Sequence, residues 1–112
     1  MKLSFLCILL AITLVQCHST KLYIVRHAEK STNPPKDPDL TEEGRQRAQS
    51  LAGTLRKSKI RSIYTTETRR TMQTAEPLSL QESLPIQQNK NDTLLKFLYR
   101  VLDAEQNALI VG

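Results

Sequence analysis

Tryptophan is absent, and aromatic residues make up only 4% of this 112-residue chain. That scarcity argues against nucleic-acid readers, which stack bases on aromatic platforms. Cysteine is nearly absent as well: Cys7 and Cys17 both fall near the N-terminus. The remainder of the chain therefore has neither an internal disulfide nor a thiolate zinc site, whatever its compartment. No metal-ligand spacing occurs elsewhere, so no metal and no cofactor is expected. Internal repeats and low-complexity tracts are missing too. Acidic residues are in deficit, 11 against 16 Lys and Arg, for a net charge of +5. The cations are scattered, with only short clusters such as Arg45–Arg47 and Arg69–Arg70. A small anionic substrate suits a few placed arginines better than nucleic acid does. With 24% charged and 39% hydrophobic residues, the composition is that of one small globular domain.

The one long apolar run lies at the start. Lys2 precedes Leu3–Val15, which is interrupted only by Ser4, Cys7 and Thr13. A run of this length fits a signal-peptide core better than a membrane span of about 20 residues. Residues 1–17 are therefore predicted to be an export signal, with residues 18–112 forming a periplasmic or secreted domain. A second reading makes "LVQC" a lipobox and Cys17 a lipidated N-terminus, the sole expected membrane attachment. Gln16 is a poor residue for the position before such a cysteine.

Beyond the leader, Lys21–Val25 carries the continuous apolar content of a strand covered on both faces. Three prolines between Ser31 and Leu40 mark a loop. Thr41 is a good helix N-cap, followed by Glu42 and Glu43 where the helix dipole favours acids. Ala48, Leu51, Ala52 and Leu55 then recur on one helical face, with Lys57 and Lys59 at the predicted C-terminal end. Ile60–Tyr64 reads as a second strand. A second helix is predicted to start near Thr66–Thr68 and to end or bend at Pro77. Residues 81–92 read as loop, Asp92 as the cap of a third helix bearing Leu94, Leu95, Leu98, Val101 and Leu102, and "NALIVG" as a last buried strand. Strands alternating with helices predict an α/β fold with a largely parallel sheet flanked by helices. In such sheets, ligands sit beyond the strand C-termini. Arg26-His27 follows the first strand there, and Thr65–Arg70 follows the second.

That juxtaposition has a chemical meaning. Arginine offers a permanently charged planar fork to phosphoryl oxygens. A neutral imidazole is a competent nucleophile near neutral pH. Arg26 and His27 thus supply a clamp and an attacking group, and Arg70 at a helix start supplies a second clamp beside backbone N–H donors.

Three blocks in order carry a family likeness: "IVRHAEK", "DPDLTEEGRQRAQSLA" and "IYTTETRRTMQTAEPL", extended by "NALIVG" at the end. Together they resemble the histidine phosphatase superfamily, also called phosphoglycerate mutase-like. The resemblance implies that His27 accepts the phosphoryl group as a phosphohistidine while Arg26 and Arg70 hold its oxygens. The spacing to Thr74 and Ala75 selects Arg70 rather than Arg69. Asn33 occupies a position where some relatives have a phosphate-contacting Asn, and Glu29 is expected to support the site rather than donate the proton. For the proton donor, Glu82 and Asp92 both stand open. In the family a second histidine follows the strand resembling "ALIVG", whereas this sequence ends at Gly112, and its only other histidine is His18. The resemblance therefore implies a phosphoglycerate mutase-like domain truncated at its C-terminus, with its activity in question. The expected function is hydrolysis of phosphate monoesters on a small metabolite or a phosphoprotein. The alternatives are a mutase-type phosphotransferase and a non-catalytic anion-binding module or fragment.

Overall fold

Four short strands form one parallel sheet in the computed structural model, which describes residues 19–112. The proposed leader, residues 1–17 with Cys7 and Cys17, and the adjoining His18 lie outside the described residues. The strands are β1 (Leu22–Val25), β2 (Ser62–Thr65), β3 (Ile86–Gln88) and β4 (Ala108–Val111), and the helices are α1 (Glu42–Thr54), α2 (Arg69–Glu82) and α3 (Leu94–Asp103). The spatial order is β1-β4-β2-β3. β4 therefore occupies the interior between β1 and β2, pairing Val25 with Val111 and Val111 with Thr65. Every residue of β2 and β4 is buried, as an all-parallel sheet covered on both faces requires. Among the described residues no helix is long and apolar enough to cross a membrane.

Side-chain alternation divides the core in two. On one face Ile63, Leu109 and Val111 meet Ala52 and Leu55 from the α1 segment and Ala75 and Leu78 from α2. On the other, Tyr64, Ala108 and Ile110 meet Phe97 and Val101 of α3. The Tyr64 and Phe97 rings stand edge to face, 5.6 Å apart and inclined at 83°. A third, smaller cluster of Ala28, Leu40 and Ala48 seals the loop after β1 against α1.

Local chemistry explains where α1 begins. Thr41 is extended, and its Oγ1 accepts the Gly44 N–H at 3.0 Å. Its own N–H and hydroxyl both donate to the Glu29 carbonyl, at 2.8 and 3.2 Å. Gly44 sits so close to that carbonyl that an added Cβ would clash with it. The absence of a side chain at Gly44 is what lets α1 dock on the segment leaving β1.

The structure corrects the sequence reading at several boundaries. α1 stops at Thr54, so Lys57 and Lys59 lie beyond its last turn and do not complement its dipole. Lys59 takes a left-handed φ of 53° and turns the chain into Ile60. The second strand is Ser62–Thr65, two residues later than its predicted start. Pro77 lies inside α2 and does not end it. Ala75 and Leu78, both fully covered, lie on either side of Pro77 and hold the helix in place against the hydrogen bond it lacks. Ser83, in the left-handed region at φ 54°, ends the helix instead. Within the stretch read as loop, Ile86–Gln88 forms β3 on the sheet edge. The α3 cap is Thr93, whose Oγ1 accepts the Lys96 N–H, while Asp92 pairs with Arg100 at 3.0 Å.

Candidate active site

The C-terminal ends of the strands gather the groups singled out in the sequence. β1 and β4 stay hydrogen-bonded past their last strand residues, with Gly112 N–H donating to Val25 O at 3.0 Å and His27 N–H to Gly112 O at 2.8 Å. His27 is therefore held by sheet hydrogen bonding rather than hanging on a free loop. Its Nδ1 lies 2.7 Å from the carbonyl of Ala28. A carbonyl can only accept, so Nδ1 carries the hydrogen, and the lone pair of the neutral ring resides on Nε2. That is the tautomer a nitrogen nucleophile needs.

Arg70 lies in the first turn of α2, just beyond β2. It is half-buried, and its Nε is a buried donor with no hydrogen-bond partner among the described residues. Thr68, at the N-cap, makes no side-chain capping bond. Its neighbour Arg69 is differently employed. The Arg69 guanidinium pairs with Asp39 at 2.9 Å, and its backbone N–H donates to Asp37 Oδ1 at 2.8 Å. Asp37 and Asp39 thus pin the proline-rich loop onto the start of α2. Gln73 reinforces the link by accepting the Leu40 N–H and donating to Asp39. No sequence signal pointed to Gln73.

Arg26 is exposed and makes no ion pair among the described residues. Together with Val25, Ala28, Arg47, Leu51 and Thr74 it lines a cavity of about 160 Å³. Glu29 is fastened to α1: its Oε1 pairs with Arg47 at 2.6 Å and its carbonyl receives both donors of Thr41. Its Oε2 is buried without a partner among the described residues, as are Thr65 Oγ1 at the end of β2 and Asn89 Oδ1 just after β3. Buried polar atoms are normally satisfied, so these orphans at or beyond three strand ends mark this side of the sheet as polar. Asn33 is exposed in the loop, where the bonds it makes to Ser31 use only its main chain.

Of the two carboxylates left open as proton donors, Glu82 closes α2 at its far end. A helix of this length spans roughly 20 Å, so Glu82 lies at the opposite edge of the sheet from His27. Asp92 lies on the His27 side, beyond β3, but is engaged with Arg100.

Residues 22–91 match the family model described as the histidine phosphatase superfamily (branch 1). The chain belongs to the histidine phosphatase superfamily. Phosphoserine phosphatase 1 of Hydrogenobacter thermophilus is 35% identical over 82 residues, covering 68% of this chain and 38% of that protein. A mycobacterial glucosyl-3-phosphoglycerate phosphatase, solved with VO3, superposes with a TM-score of 0.56 at 26% identity, over 63% of this chain and 37% of its own. A phosphoserine phosphatase from Entamoeba histolytica, solved with 3-phosphoglyceric acid, superposes with a TM-score of 0.62 over 84% of this chain and 74% of its own. At 16% identity it speaks to the fold alone. The chain thus spans less than two-fifths of the length of the first two relatives. Among histidine phosphatases, its four parallel strands and three helices carry the phosphoglycerate mutase-like fold expected from the sequence.

Proposed function

We propose that this chain carries the phosphoryl-accepting machinery of a histidine phosphatase acting on phosphate monoesters. The lone pair on His27 Nε2 attacks phosphorus, a P–N bond forms, and the P–O bond to the leaving alcohol breaks as that oxygen takes a proton. Water then attacks the phosphohistidine, the P–N bond breaks, and inorganic phosphate leaves with the ring neutral again. Arg70 and Arg26 hold the non-bridging oxygens, where charge develops, and the N-terminus of α2 adds its dipole. The substrate is a small phosphorylated metabolite or a phosphoprotein; the phosphatase names of the relatives favour hydrolysis over transfer.

The observation that carries this reading is the Nδ1–H bond from His27 to the Ala28 carbonyl, which leaves Nε2 as the reactive nitrogen. Residues 1–17 are proposed to direct export, on the strength of Lys2 and the apolar run Leu3–Val15. N-terminal sequencing of the exported product tests that assignment.

Incubation with a generic aryl phosphate tests the chemistry. Turnover that His27→Ala abolishes, with acid-labile phosphate trapped on the wild-type protein, is the expected result. Turnover surviving His27→Ala refutes it. A folded protein that binds inorganic phosphate without turnover identifies an anion-binding module instead.

A further inference from the structure

His27 and Arg70 stand on different strand–helix units, yet one buried hydroxyl joins the segments that carry them. Thr74, 3% exposed in the second turn of α2, accepts the Ala28 N–H on Oγ1 at 3.0 Å. The same hydroxyl donates its hydrogen to the Arg70 carbonyl at 2.7 Å. Neither direction can be reversed, because an amide N–H cannot accept and a carbonyl cannot donate. Ala28 is the residue whose carbonyl fixes the His27 ring through Nδ1. A continuous run therefore passes from His27 Nδ1–H to Ala28 C=O, and from Ala28 N–H through Thr74 Oγ1–H to the carbonyl of Arg70. Its two ends are the nucleophile and the proposed clamp. Ala28 is itself 4% exposed, so the bond to the hydroxyl is made in the interior, beside the cavity that Ala28 and Thr74 help to line.

We propose that Thr74 is a positioning residue that sets the separation and orientation of His27 relative to Arg70, without touching substrate. The inference rests on the phosphatase reading of the site. Its basis is that a reactive constellation tolerates little misplacement: a shift of about 1 Å in such a site costs on the order of 100-fold in rate. Thr74→Val keeps the shape and removes the hydroxyl, leaving the Ala28 N–H buried and unpaired. Thr74→Ser keeps the hydroxyl and removes only a methyl group.

Three measurements on the 112-residue chain decide the matter. In hydrogen exchange, the Ala28 amide loses at least tenfold of its protection in Thr74→Val and keeps it in Thr74→Ser, while the β4 amides of Leu109 and Ile110 hold in both. In turnover of an aryl phosphate, corrected for folded fraction, Thr74→Val lowers kcat on the order of 100-fold and Thr74→Ser stays near wild type. In inorganic phosphate binding, Thr74→Val weakens affinity and Thr74→Ser preserves it. Equal behaviour of the Val and Ser variants in turnover and phosphate affinity overturns the positioning role, as does an Ala28 amide that stays protected in Thr74→Val. Should wild-type turnover persist in His27→Ala, the phosphatase reading fails, and Thr74 is judged on exchange and phosphate affinity. A wild-type chain that neither turns over nor binds phosphate overturns both.

Discussion

Replacing Gly44 with alanine tests how tightly α1 is seated on the segment that carries His27. An ideal Cβ at position 44 falls 2.2 Å from the Glu29 carbonyl oxygen, with the carbonyl carbon and the amide nitrogen of the same residue at 3.1 and 3.2 Å. An ordinary carbon–oxygen contact is about 3.3–3.6 Å, so the overlap is about 1 Å. The obstacle is main chain, not the tip of a flexible side chain. It is also held from the other side, because Thr41 N–H and Oγ1–H both donate to the same oxygen. Relief requires the first turn of α1 to back away, which stretches those two bonds and loosens the cap. Overpacking of this kind costs about 1–3 kcal/mol, and loss of an N-cap adds about 1 kcal/mol. The expected destabilisation is therefore about 2–4 kcal/mol. Urea denaturation followed by far-UV circular dichroism reads it as a lower midpoint at unchanged slope. A Gly44→Ala variant within about 0.5 kcal/mol of wild type, the range of an inconsequential surface change, would refute the close-approach argument.

Other outcomes follow from neighbouring features. Arg70→Ala is expected to reduce aryl phosphate turnover on the order of 100-fold or more. Arg69→Ala, which breaks an exposed pair with Asp39, shifts stability by about 1 kcal/mol or less and leaves turnover near wild type; steady-state kinetics on both variants reverse the assignment if the larger loss falls on Arg69. Leu78→Ala, at a fully buried position between α2 and the sheet, costs about 2–5 kcal/mol by denaturant titration. Thr41→Ala costs about 1 kcal/mol in the same titration, and a cost near zero contradicts its capping role.

The strands that were easy to recognise in the sequence are the ones that carry their own signal. "ALIV" brings continuous apolar side chains to a strand buried on both faces, "LYIV" carries the same signal to the sheet edge, where Ile24 is exposed rather than covered as expected, and the Thr41 cap announces α1 by chemistry local to a few residues. β3 was not legible because an edge strand needs only backbone pairing with β2, and "IQQ" supplies one apolar side chain. The continuation of α2 through Pro77 was hidden for the opposite reason: its support comes from tertiary burial of Ala75 and Leu78, which no local rule encodes. Within the site, residue types and order pointed to His27, Arg26 and Arg70. The roles of Asp39, Gln73 and Thr74 emerge only when loops distant in sequence meet, as with the Thr74 hydroxyl and the Ala28 amide, 46 residues apart.

The interior placement of β4 sets the order in which this domain comes into being. On the ribosome, β1 emerges first, but among the described residues its strand neighbour is residues 108–111, made last. Among the described residues, the same strand is the bridge in the sheet between β1 and the β2–β3 pair. The Lys21 N–H awaits the Asn107 side chain, 86 residues downstream. Only β2 and β3 can pair early, and closure of the sheet onto β1 is delayed until synthesis has passed β4, the long-range closure that makes parallel sheets slow to form. A chain stopped a few residues short would lose the central strand, and with it the hydrogen bond from His27 to Gly112 that holds the proposed nucleophile in place.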